Sequence, residues 1–190
     1  PFLSLRPGEV FVDGGGFDGD TTLEMASRCP DFASVHFFEP AAYAMTTAKS
    51  RLAALSPRIH FYPLGLYDRP TTLSFDASAG SASHIAEGGS DTIEVGRLDD
   101  LVTERISWIK MDLEGAELEA LHGSERHILA DHPKLAIAVY HDPADFWRIP
   151  GYVLGLRQDY TIHLRHYTEG WPETVMFFMP EQGTSENMEA

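Results

Sequence analysis

Carboxylates gather at three places in this chain, and each place has a spacing that suits a chemical task. The first is Val12–Asp20, VDGGGFDGD, where Gly14, Gly16 and Gly19 match the pattern G-x-G-x-x-G. Glycines there permit a sharp turn and let a ligand approach the backbone closely. Asp13, Asp18 and Asp20 crowd the same turn. The second place is FFEP, where Glu39 follows Gly19 by about 20 residues, the distance at which a carboxylate receives ribose hydroxyls in nucleotide-binding βαβ units. Pro40 stops the strand and orients that carboxylate. The third is WIKMDLEGAE, which sets Asp112, Glu114 and Glu117 within six residues. His141, beyond the next apolar run, is the nearby imidazole.

The charges narrow the choice of ligand. A dinucleotide would bring its pyrophosphate to the acidic turn, and like charges about 4 Å apart repel by on the order of 4 kcal/mol at an effective dielectric near 20. S-adenosylmethionine brings a sulfonium and an ammonium with a single carboxylate, so an acidic turn with free backbone amides suits it better. The cofactor set expected on this basis is Asp13, Gly14, Gly15, Gly16, Phe17, Asp18, Thr21, Glu39, Pro40, Asp68 and Asp112. Asp20 and Thr21 also read as caps of the following helix.

Asp112, Glu114 and His141 are the candidates to take a proton from a reacting group. His141 is given its unperturbed pKa near 6.5, while Asp112 has the better expected place at a strand end. The same three are of the right type for a divalent metal. The D-x-E spacing is no metal signature, and none is assigned.

These residues need elements to hold them. Glu9–Asp13, Ser34–Glu39, Ile59–Pro63, Trp108–Asp112 and Leu135–Tyr140 read as strands, with helices from Thr21 and over Ala41–Leu55. Leu118, Leu121, Ile128 and Leu129 are expected on one helical face. Strands separated by helices argue for βαβ units in a parallel sheet. Thr161–His166 and Thr174–Met179 are strand-like, and the loop Tyr167–Glu173 between them is too short for a parallel crossover, so they should pair antiparallel. Asp76–Asp91, rich in Ser, Gly and Ala, reads as a mobile loop over the crevice, with Ser81, Ser83 and His84 as polar contacts. Residues 1–180 are expected to form one domain and 181–190 a disordered tail.

With those pieces in place, the chain resembles the FkbM family of S-adenosylmethionine-dependent methyltransferases. The matching pieces are FVDGGGFDGDTT at 11–22, FFEP at 37–40, RLDDL at 97–101, IKMDLEGAELEALHG at 109–123, and His141. The resemblance implies a class I, doubly wound α/β fold of seven strands in the order 3-2-1-4-5-7-6, with strand 7 antiparallel and helices on both faces. It implies O-methylation of a hydroxyl on a small-molecule, sugar or lipid-linked acceptor. The family usually has alanine where this chain has Gly16, a departure expected to loosen the turn. The segment that often precedes these motifs is largely missing here, so no substrate lid is assigned to it.

Composition bounds the remaining readings. The chain has 190 residues, 43% of them hydrophobic, enough for a core. A formal net charge of -15 makes nucleic acid a poor partner. No run is long enough to span a bilayer and no signal peptide is visible, so a cytoplasmic location is expected. The single cysteine, Cys29, lies away from every motif and reads as inert. Two alternatives compete: a nicotinamide-dependent oxidoreductase on a similar fold, opposed by the acidic turn and the final hairpin, and a non-catalytic nucleotide-binding module, opposed by the carboxylates at 112–117.

Overall fold

The computed structural model describes residues 3–76, 84–85, 91–170 and 172–181. In chain order the elements are β1 (Val10–Gly14), α1 (Asp20–Arg28), β2 (Ser34–Phe38), α2 (Ala42–Arg51), a 3₁₀ segment (Ala53–Arg58) and β3 (Ile59–Tyr62). Next come β4 (Gly65–Leu66), β5 (Thr71–Asp76), β6 (His84–Ile85), β7 (Asp91–Gly96) and α3 (Leu98–Leu101). The last are β8 (Trp108–Met111), α4 (Glu117–His122), α5 (Glu125–Asp131), β9 (Lys134–Ala138), α6 (Asp145–Leu156), β10 (Tyr160–His166) and β11 (Thr174–Pro180).

Seven strands form the main sheet in the order β10-β11-β9-β8-β1-β2-β3. Numbered within that sheet and read from the other edge, this is 3-2-1-4-5-7-6, the order expected. β1, β2, β3, β8 and β9 run parallel. β11 runs antiparallel to both β9 and β10, with His166 opposite Thr174 across the hairpin.

Burial on both faces explains why the parallel strands read as unbroken apolar runs. Every residue of β1 is buried. Val10 and Val12 point to one face, where Ile109, Leu121, Ile137, Ile149 and Val153 pack. Phe11 points to the other, against Met25, Phe37, Met45, Leu52 and Trp108. That alternation is the period of two of an extended chain. Burying each such side chain contributes about 1.5–3 kcal/mol, so the two packed faces hold β1 at the centre of the molecule. Because the five parallel strands point one way, their carboxyl ends share one edge, where open α/β sheets bind ligands.

Four features differ from the sequence reading. β4, β7, β5 and β6 form a second sheet, β5 pairing antiparallel with β7. The stretch read as a loop therefore begins in β5, includes β6 and ends in β7, while Ser81 and Ser83 lie outside the described residues. The helix expected to reach Leu55 stops at Arg51 and gives way to the 3₁₀ segment, which contains Pro57. The helical face read through Leu118 and Leu129 is two short helices, and Leu129 is 42% exposed. α6 was not read at all. From 182 onward the expected tail falls outside the described residues.

Candidate active site

β1 ends in a turn that only glycine can make. Gly15 has φ +68, and a Cβ there would stand 1.9 Å from the Asp112 carbonyl oxygen. The bare backbone lets the end of β1 pass directly beside the end of β8. The Gly15 and Gly16 amides both donate to the Phe38 carbonyl at 3.0 Å. The Phe17 amide donates to Glu39 Oε2 at 2.9 Å, with Phe17 itself at φ 47. The turn was expected to offer free amides; at Gly15, Gly16 and Phe17 they are instead spent on the end of β2. Gly16 also does not loosen the turn, because the Phe37 ring fills the space its missing side chain leaves.

A buried cation supports the turn from beneath. Lys110 on β8 donates through Nζ to the carbonyls of Gly14 (3.1 Å) and Gly15 (2.7 Å), and sits 3.3 Å from Asp13 Oδ1. Asp13 is wholly buried and its other oxygen accepts from the Thr22 hydroxyl at 2.6 Å. Burial works against the charge on Lys110, but Asp13 and Asp112 outweigh it and hold its pKa above the ordinary value. Sequence reasoning placed Lys110 only as an alternating strand residue, although it lies inside the most distinctive motif.

Glu39 stands at the carboxyl end of β2, 7% exposed. Pro40 turns the chain so that the Ala41 amide reaches back to Glu39 Oε1 at 2.7 Å. With Phe17 on the other oxygen, the carboxylate is fixed on both sides. Each oxygen keeps a lone pair for a further donor. Burial raises its pKa, and the two amides pull it down.

The remaining acidic residues of the turn separate from the crevice. Asp18 and Asp20 both pair with Arg51 of α2. The helix cap at Gly19 has no side-chain hydrogen bond, so neither Asp20 nor Thr21 caps α1. Asp68, beyond β4, pairs with Arg69 at 3.1 Å and makes no hydrogen bond or ion pair to the turn or to Glu39.

At the ends of β8 and β9 a second cluster forms. His141 Nε2 lies 3.2 Å from Glu114 Oε2 and 3.6 Å from Asp112 Oδ1, and its Nδ1 lies 3.0 Å from Glu117 Oε1. Both ring nitrogens are out of solvent, and neither is aligned for a hydrogen bond in the described residues. Asp112, Glu117 and His141 each place one ligand-type atom within 4.8 Å of the others. Glu117 is fully buried and its carboxylate accepts from the Leu113 and Gly115 amides, which shapes the loop after β8. In that loop Glu114 takes φ 56, a left-handed conformation that costs on the order of 1–3 kcal/mol for a non-glycine residue and that gathers at functional sites. The Tyr140 hydroxyl donates to Asp112 Oδ1 at 3.0 Å. Burial works against a charge on His141, but Glu114 and Glu117 push its pKa up to about 10. The unperturbed value assumed from sequence does not apply to this imidazole.

Thr21, Lys110, Asp112, Tyr167 and Glu173 line a cleft of about 550 Å³ that opens beside this cluster. A volume of that order suits a small molecule or part of a larger one.

The sequence and the fold resemble those of known methyltransferases. The model of the methyltransferase FkbM domain matches residues 13–183. The solved structure of the methyltransferase FkbM from Methylobacillus flagellatus superposes with a TM-score of 0.82 at 29% identity, covering 93% of this chain and 45% of that one. This chain thus spans less than half of that protein's length. An rRNA methylase from Streptococcus thermophilus shares the fold at TM-score 0.61 and 20% identity, covering 94% of this chain and 90% of that one. Fibrillarin from Aeropyrum pernix, with natively bound S-adenosyl-L-methionine, does so at TM-score 0.55 and 11% identity, covering 92% of this chain and 67% of that one. No curated protein matches the sequence.

Proposed function

The chain belongs to the FkbM methyltransferase family, and on that premise we propose that it methylates a hydroxyl oxygen of a small-molecule, sugar or lipid-linked acceptor. S-adenosylmethionine is its cofactor. The residues at the strand ends fit that molecule: a glycine cradle whose Cβ positions are already occupied, and a fixed carboxylate at the sequence spacing of a ribose partner. When bound, the cofactor supplies an electrophilic methyl group on a positively charged sulfur.

The observation that carries this reading is the placement of Glu39 and Asp112 on either side of the glycine turn. Glu39, anchored by the Phe17 and Ala41 amides, holds the ribose hydroxyls. Lys110 and Asp13 keep the turn rigid, with Gly14 to Phe17 against the ligand and Pro40 fixing the Glu39 side. Asp112, one strand over, orients the acceptor hydroxyl and takes its proton, with Glu114 as its neighbour. His141 lies against both carboxylates, so we assign it the positioning of the base and not the base itself. Alignment of the acceptor oxygen with the methyl carbon and sulfur supplies much of the rate in a direct displacement.

The net charge of -15 favours an acceptor other than nucleic acid. Among the described residues no helix is long and apolar enough to cross a membrane, and a cytoplasmic site of action is part of the proposal. The test is mass-spectrometric screening of hydroxyl-bearing acceptors with S-adenosylmethionine, followed by Asp112→Asn on the best acceptor. Loss of a positioned base is expected to lower kcat by about 10²–10⁴ with cofactor affinity nearly unchanged. Near-normal turnover in that variant would remove Asp112 from the role.

A further inference from the structure

We propose that Asp112, Glu114 and His141 form a divalent-cation site, with Glu117 behind the histidine. The arrangement is that of a metal ligand and its support. One ring nitrogen of His141, Nε2, lies 3.2 Å from a Glu114 oxygen and 3.6 Å from an Asp112 oxygen. Those separations resemble the spacing between adjacent ligand atoms around a shared ion. The other nitrogen, Nδ1, lies 3.0 Å from Glu117 Oε1. A histidine that binds metal through one nitrogen almost always gives its other N–H to a carboxylate or carbonyl, which fixes the ring. Glu117 is itself fixed by the Leu113 and Gly115 amides, so the ring is held by a rigid partner.

Two further observations point to a missing ligand and not merely to acidity. The His141 side chain is only 11% exposed, yet Nε2, the ring nitrogen facing Asp112 and Glu114, has no aligned hydrogen-bond partner among the described residues. Buried polar atoms are ordinarily satisfied. Three carboxylates also surround one imidazole, while the neighbouring Lys110 is committed to Asp13 and the turn carbonyls. A single imidazole leaves the cluster short of positive charge.

The donor set names the class of ion. Carboxylates with one imidazole and no thiolate suit a divalent transition ion such as Mn²⁺ better than a hard all-oxygen ion, and the chain's one cysteine is buried elsewhere in the core. The use to which the ion is put rests on the methyltransferase reading. An acceptor hydroxyl bound to it becomes more acidic. The hydroxyl proton then leaves to a site carboxylate, the oxygen pair forms the bond to the methyl carbon, and the C–S pair stays on sulfur, giving the ether and S-adenosylhomocysteine.

The test is direct binding of Mn²⁺ to chelator-treated protein, read by electron paramagnetic resonance and calorimetry without any turnover. Wild type is expected to show one saturable site. Asp112→Asn and His141→Gln should each weaken it at least tenfold, and Glu117→Gln by about 10–100-fold. Asp100→Asn, at an exposed position of α3, should bind as wild type does. Circular dichroism confirms that each variant is folded. No saturable binding by folded wild type at millimolar Mn²⁺ overturns the site, and so does equal binding by wild type and His141→Gln. S-adenosylhomocysteine is titrated alongside: cofactor binding without Mn²⁺ binding overturns this inference alone, whereas Mn²⁺ binding without cofactor binding supports it and defeats the methyltransferase reading.

Discussion

Phe37 occupies the place of a side chain at residue 16: a Cβ on Gly16 would stand 2.2 Å from Phe37 Cε2 and 2.4 Å from Cζ. The missing methyl and the buried ring are two halves of one fit. Gly16→Ala is therefore expected to destabilise the protein by about 1–3 kcal/mol through overpacking. Phe37→Leu in the same chain should return part of that loss. Urea unfolding of the two single variants and the double variant measures the coupling; strictly additive effects would show that the ring and the turn are independent.

Lys110 and Asp13 form a second interdependent pair. Lys110→Met leaves Asp13 buried without its cation and frees two carbonyls of the turn. Removing one partner of a buried pair typically costs about 3–5 kcal/mol. Denaturant melts should show a loss of that order, with Asp13→Asn in the same chain recovering part of it. A loss under about 1 kcal/mol would mean that water reaches the pair.

The main sheet was legible because its parallel strands are short apolar runs covered on both faces, as in VFVDG and SVHFF. The second sheet was not, because Thr71–Asp76 and Asp91–Gly96 mix Thr, Ser and Glu with few apolar residues, and their pairing is long in sequence. Pro150, Gly151 and Gly155 masked α6, which buries Ile149 and Val153 all the same. At the site, Glu39, Asp112, Glu114 and His141 were visible from residue type and spacing. The functions of Lys110 and Glu117 depend on where Nζ and a carboxylate reach across to other strands and loops, and spacing does not encode that. The expectation of free amides failed for the same reason, since Phe38 and Glu39 approach from the neighbouring strand.

Asp145 opens α6 at 6% exposure, and burial together with Glu117 and Asp142 pushes its pKa up to about 6 from an ordinary 3.8. The folded chain binds this proton more tightly than the unfolded one, so stability falls as pH rises between those two values, and the cost persists above them. Asp145→Asn removes the charge. Thermal melts should show a gain on the order of 1–2 kcal/mol near pH 8 and little difference near pH 4. An equal shift at both pH values would trace the effect to packing.

Glu39→Ala removes the acceptor for the Phe17 and Ala41 amides and, on the proposed function, for the ribose. A lost charged acceptor costs about 1.5–3 kcal/mol, so cofactor affinity should fall roughly tenfold to a hundredfold. Calorimetry of the folded variant checks this, and an unchanged Kd would take Glu39 out of the site.

The most direct measurement is calorimetric titration of the wild-type chain with S-adenosylhomocysteine, with NAD titrated in parallel. The account predicts saturable binding of S-adenosylhomocysteine at a single site and none of NAD, because the turn amides at Gly15, Gly16 and Phe17 that would meet a pyrophosphate are already spent on the end of β2. Folded protein that shows no binding of S-adenosylhomocysteine at millimolar concentration, or that prefers NAD, would contradict it.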